Sequence, residues 1–241
     1  MRVSLYILVA LVVLLVAAIM RMPASIAIDQ ILHRLNLPDD VTIRYTKGTI
    51  WEGQTQFNFR TFPSMALRWD VDAFRSFSAL EVQVDVLSTS SHLSGLVQLD
   101  TNRISISDLS FSLASSDINQ LAENYGHRFG SDIQGQGIRG AFELACIRAL
   151  SGQLDWAGGR LSIDTGGGGA TELQTPALEG ELSAKDCGAF VSFSAVEQLG
   201  AKADLSIDQT GWFKAIISPK LVSLVTNNPA RGPMQFEAKV R

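Results

Sequence analysis

The sequence predicts an all-β domain, one twisted antiparallel sheet, carried behind a single apolar N-terminal helix. Three observations predict it. Residues 3–20 form an unbroken apolar run, hydrophobicity from Val41 onward alternates with period two, and glycine-containing breaks separate the alternating segments. At 241 residues with 46% hydrophobic and 18% charged side chains, the chain has ample core material and is not of a disordered class.

Residues 3–20 contain no charge, and eighteen residues at about 1.5 Å each reach roughly 27 Å, enough to span a hydrocarbon core. A cleavable signal peptide is the rival reading, with Ser25, Ile26 and Ala27 as a small-x-small site. Its apolar region is normally about 7–15 residues, shorter than this one, and Arg21 interrupts the approach to the cleavage site. An uncleaved anchor over residues 1–21 is therefore expected. Arg2 stands on one side of it, and Arg21 and Arg34 on the other, so counting positive charges does not orient it. The lysine-poor, β-rich remainder favours an N-in anchor with the main domain outside the cytoplasm.

Residues 22–40 read as a membrane-proximal amphipathic helix or connector. Ile28, Ile31, Leu32 and Leu35 recur at helical spacing before Pro38, Asp39 and Asp40. The β domain then occupies residues 41–241. Met65, Leu67, Trp69 and Val71 alternate with polar neighbours, as do Leu80, Val82, Val84 and Val86. Ala201, Ala203, Leu205 and Ile207 do the same, followed by Met234, Phe236, Ala238 and Val240. Such segments are antiparallel strands with one apolar and one wetter face. Ile104 and Ile106 share a phase opposite to that of Leu109, Phe111 and Leu113, which requires a bulge or turn near Ser107 and Asp108.

One interruption looks helical, near residues 116–125. Ser116 and Asp117 could cap a turn carrying Ile118, Leu121 and Tyr125, ended by Gly126. The glycine-spaced stretch Gly130, Gly135, Gly137 and Gly140 then reads as a hinge between two similar β halves. The strands would close as a sandwich or an open half-barrel. Residues 166–169 are four glycines and read as an exposed loop; no Walker-type lysine follows them.

Composition narrows the function. The net charge is −4 and the six lysines are scattered, so nothing resembles a nucleic-acid footprint. Cys146 and Cys187 form no C-x-x-C, and His33, His92 and His127 lie far apart, so no metal or cofactor is expected. The two cysteines are either a disulfide or a pair of buried thiols. An extracytoplasmic domain favours the disulfide.

The most distinctive short segment is Gly48-Thr49-Ile50-Trp51-Glu52-Gly53, with Trp51 expected to be buried against the strand after Gly53. A weaker W-x-G echo recurs at Trp156, within the segment from Gly152 to Leu161, and hints at an internal duplication. Together with the anchor and the strand holding Ala66, Leu67, Arg68 and Trp69, these segments resemble the type II secretion system protein N family (general secretion pathway protein N). The resemblance implies a bacterial inner-membrane, single-pass protein with a periplasmic β domain. It implies an accessory role in protein transport, with inner-membrane platform proteins as partners and the outer-membrane secretin as a further candidate. It carries no catalytic residues.

No G-x-S-x-G, H-E-x-x-H, Walker-A or dinucleotide fingerprint is present. A non-enzymatic binding role is expected, through sheet edges or an apolar face. The alternative is a membrane-anchored carrier of a lipid or other hydrophobic ligand, whose groove the apolar stripes would line.

Overall fold

Alternating segments become strands because successive side chains leave opposite faces, so each segment buries one set and wets the other. The computed structural model describes residues 2–26, 28, 41–59, 61–72, 79–123, 126–143, 146–164, 170–226 and 228–239. Helix α1 (Arg2–Met20) opens the chain. Then follow β1 (Val41–Gly48), β2 (Glu52–Phe59), β3 (Met65–Asp72), β4 (Leu80–Leu87), β5 (His92–Leu99) and β6 (Ile104–Leu113). After α2 (Ser115–Ala122) come β7 (Arg128–Phe129), β8 (Ile133–Glu143), β9 (Cys146–Trp156), β10 (Gly159–Asp164) and β11 (Ala170–Thr175). The chain continues with β12 (Leu178–Lys185), β13 (Gly188–Ala195), β14 (Lys202–Ile207), β15 (Trp212–Ile217), α3 (Pro219–Thr226) and β16 (Met234–Lys239).

Thirteen strands form one antiparallel sheet in the order β1-β2-β3-β4-β5-β6-β8-β9-β12-β13-β14-β15-β16. At about 4.8 Å per step the sheet is roughly 58 Å across. Strands β11, β10 and β7 form a separate three-stranded sheet. The all-β expectation holds, with one large antiparallel sheet whose end strands, β1 and β16, do not pair with each other. Among the described residues no second large sheet stacks on it as a sandwich would require. Nor is the glycine stretch a hinge between halves. Gly135, Gly137 and Gly140 lie inside β8, which is paired on one side to β6 and on the other to β9.

The bulge required near Ser107 and Asp108 is present. Register shifts between Ile106 and Leu109, and Asp108 adopts φ 52°. A second shift, between Gln136 and Arg139 in β8, sits at Gly137 with φ 58°.

The two ends of the sheet are built differently. Connections β5–β6, β12–β13 and β14–β15 are tight turns at one end. Both α2 and α3 and the small sheet lie at the other. There α3 starts on Ser218, whose Oγ accepts N–H bonds from Leu221 at 3.3 Å and Lys202 at 2.8 Å, with Pro219 in the first helical position. Leu221 then packs with Leu178, Ala195, Ala201 and Ala203, flanked by Trp156, Phe193 and Ile217. This helix was not anticipated.

Helix α2 starts near the expected place but with a different cap. Ala114 precedes it with no side-chain cap, and Asp117 sits in the first turn at 1% exposure. Its carboxylate accepts from the hydroxyl of Ser88 and from Ser91 Oγ at 2.7 Å, tying α2 to the β4–β5 turn. Burial alone would raise this carboxyl. The two hydroxyls and the backbone N–H groups of Ser90 and Ser91 outweigh that and hold it below the ordinary carboxylate range.

Side chains in α1 are described from Ala10 onward. Among described residues no helix is long and apolar enough to cross a membrane, so the span over 3–20 rests on the sequence. Residues 29–40 lie outside the described residues, and with them most of the expected membrane-proximal helix and His33. Tyr125 and the tetraglycine at 166–169 lie outside as well.

Cys146 and Cys187 are bonded to each other, 41 residues apart, joining the start of β9 to the β12–β13 turn. Replacing both by serine should lower unfolding free energy by roughly 4 kcal/mol in the chain-entropy model, measured by denaturant titration. A change under about 1 kcal/mol would show that the strand pairing alone closes this loop. For Asp117→Ala a loss of about 2–3 kcal/mol is expected, as for hydrogen bonds to a buried charge. Because the folded carboxyl is depressed, its contribution is fully present above about pH 4 and disappears as pH falls through the folded value. The wild-type and variant stabilities should therefore converge in acid, and parallel curves down to pH 2 would refute the assignment.

Candidate functional site

Directly paired residues share a face, so the registers sort every strand. Leu67, Val86, Leu93 and Phe111 pair in turn across β3 to β6, and Thr55, the β2 partner of Leu67, shares their face with Phe57. The row continues through Gly135 and Leu154 to Gly180, Phe193, Ala203 and Ile217, and ends at Met234 in β16. One face is thus apolar over all thirteen strands. Its hydroxyls are those of Thr46 and Thr55, which lie 3.0 Å from each other, and Thr55 also donates to the Tyr45 carbonyl at 3.1 Å.

The opposite face is polar and largely self-satisfied. Gln98 donates to Glu81 at 3.0 Å, Ser94 and Ser110 meet at 3.2 Å, and Ser192 donates to Asp204 at 2.7 Å. Lys214 and Glu237 pair at 3.1 Å, and that bond holds the Glu237 carboxyl below its usual range. His92 lies 3.7 Å from Asp85 on this face, both exposed. No group of three or more His, Cys, Asp or Glu that could hold a metal occurs among the described residues.

The apolar face is floored by glycines under rings. A Cβ on Gly53 would overlap the Trp69 ring, and one on Gly135 would overlap Phe111. On Gly180 it would come within 2.6 Å of the Phe193 ring. Each ring therefore lies across its neighbouring strand instead of standing upright, which keeps the face shallow. Beyond the part that α3 covers, this face has little cover: no large apolar side chain in β1 to β6 is buried. At the tight-turn end Leu80, Leu99 and Ile104 are 40%, 39% and 46% exposed.

That same end carries the joint to α1. Gly48 turns the chain with φ 95°, and Thr49 Oγ1 accepts from the N–H groups of Trp51 and Glu52. The turn then grips the end of α1: Trp51 Nε1 donates to the Ile19 carbonyl at 3.1 Å, Ile50 N–H to the Met22 carbonyl at 3.0 Å, and Pro23 bridges to Thr49. Trp51 is therefore half-buried at a helix end rather than sunk among strands. Trp69 lies over Gly53, and Trp156 ends β9 beside the cluster under α3, its indole N–H without a protein partner. The W-x-G echo is not a structural repeat, because Gly53 pairs within the large sheet whereas Gly158 precedes β10 of the small one. Gly48, Thr49, Trp51, Gly53 and Trp69 thus come together, and Trp156 stands apart.

No family model, curated protein or solved structure matches the chain.

Introducing a methyl at the floor tests the packing. Gly135→Ala should cost about 1–3 kcal/mol, since the Phe111 ring must leave its position. Thermal unfolding unchanged from wild type would mean that the ring does not rest on that glycine.

Proposed function

We propose that this chain is a non-enzymatic accessory component of a type II protein secretion machinery. In this reading residues 3–20 are a single-pass anchor in the bacterial inner membrane, and the sheet stands in the periplasm. Its partners are platform proteins of the same membrane, with the secretin as a further one. The observation that carries the reading is the joint at residues 48–53. The segment that bears the family resemblance is also the segment that fastens the sheet to the end of the apolar helix. Supporting it, α1 has 19 residues, about 28 Å long, and its side chains from Leu11 to Leu15 are all more than half exposed. The disulfide suits an oxidising compartment. A sheet held at the membrane surface meets proteins of that bilayer at raised local concentration, so weak contacts suffice.

The test is genetic and biochemical. Residues 22–241 exported behind a cleavable signal should restore less secretion than the full chain in a strain lacking the gene, and should not copurify with the platform. Trp51→Ala should weaken both, while Asp70→Asn and His92→Gln on the polar face leave secretion near the wild-type level. Full secretion by the anchorless form, with no platform protein recovered on the intact one, would sink the proposal.

A further inference from the structure

Beyond that reading, and resting on it only for the anchor, we propose that the apolar face seats the acyl chains of a phospholipid drawn from the bilayer that holds α1. The first ground is chemical. Protein interfaces carry about one hydrogen bond per 100–200 Å². This face offers almost no polar atom to make them: its backbone groups are spent in the strand ladder, and the Thr46 and Thr55 hydroxyls on each other and on the Tyr45 carbonyl. A surface of methyl, methylene and ring carbon offers no directional bonds to fix the register of a protein partner, and it suits hydrocarbon chains, which need none.

The second ground is placement. The exposed rim of Leu80, Leu99 and Ile104 lies at the end of the sheet where Trp51 and Ile50 hold the end of α1. At the opposite end Leu221 of α3 closes over Leu178, Ala195 and Ala203. The face is thus exposed along this rim on the side of the α1 joint, while at the other end α3 covers the part over β12 to β14. Eight-residue strands are about 26 Å long. An acyl chain reaching across one leaflet, about 15 Å of hydrocarbon, fits within that length.

The third ground is the floor. Rings laid flat over Gly53, Gly135 and Gly180 remove the ridges that upright side chains would raise across the sheet. A smooth apolar floor gains contact along a chain's whole length.

The experiment uses the full-length protein in nanodiscs of a phospholipid carrying a photoactivatable diazirine on its acyl chain, with labelled peptides located by mass spectrometry. Labels on β4, β6 and β9 in addition to α1 are expected. Leu99→Asp and Ile104→Asp, at exposed positions that a folded sheet tolerates, should each cut strand labelling at least about fivefold, while Ser105→Asp on the polar face leaves it unchanged. Labels confined to α1 overturn the proposal, as does strand labelling that the two rim charges do not reduce. Recovery of the strands in crosslinks to a second copy of the chain or to another protein, without lipid label, overturns it too. The measurement contains no secretion protein, so loss of platform capture with strand labelling intact removes the secretion reading alone.

Discussion

The structure depends on keeping one side-chain phase across thirteen strands. Each antiparallel step places directly opposed residues on the same face, so an error of one residue in any strand would carry every strand beyond it to the wrong side. Bulges protect that phase where the sequence would lose it, and two of them fall in the middle of the sheet. In β6 the extra residue at Asp108 returns Leu109, Phe111 and Leu113 to the side of Ile104 and Ile106. In β8 Gly137 does the same for Ile138 after Gly135. Both bulges have positive φ, one borne by an aspartate, a residue that tolerates this region, and one by glycine.

Among the described residues this broad layer has no second large sheet over it, and the burial pattern reflects that. The total accessible surface is 16028 Å², whereas a compact monomer of this size exposes about 10,500 Å². Buried apolar residues are mostly small, such as Ala141, Ala195, Ala201, Ala203 and Ala215. Cohesion comes instead from the ladder of backbone hydrogen bonds, from side chains half-covered by same-face neighbours, and from local fasteners. The disulfide acts at the tight-turn end. Asp117, with Ser88 and Ser91, and Asn119, which exchanges two hydrogen bonds with Phe129, act at the helical end.

Much of this was legible in the sequence, and the failures have physical causes. Strands β3, β4, β14 and β16 follow from alternation, and the β6 bulge follows because bulky residues on both sides of Asp108 reveal the change of phase. The β8 bulge was hidden, since Gly135 and Gly137 have no side chains with which to mark a phase. Read locally, those glycines look like a hinge; they are missing side chains because Phe111, 24 residues away, fills the space over Gly135. Helix α3 was missed for another reason. Leu221, Val222, Leu224 and Val225 are too few to separate a short helix from a strand, although Ser218 and Pro219 supplied a start signal. Asp117 was recognised as a helix-start residue, but its partners on the β4–β5 turn could not be read from spacing.

The two ends of the sheet give the single layer a direction. Tight turns join β5–β6, β12–β13 and β14–β15 at one end, and the joint to α1 is made there by three contacts from the turn at residues 48–53. At the other end the β15–β16 connection supplies α3, which covers the part of the face over β12 to β14. A chain free to place its helices at either end would minimise exposed apolar surface by using both. Leaving Leu80, Leu99 and Ile104 exposed at the same end of the sheet as the α1 joint costs hydrophobic stabilisation in water, at about 25 cal/mol for each Å² left uncovered. That cost falls away if the rim stands against the bilayer surface. Under the proposed anchoring of α1 in a bilayer, the rim and the joint form one unit, and the membrane is the cover that the proposal assigns to the rim.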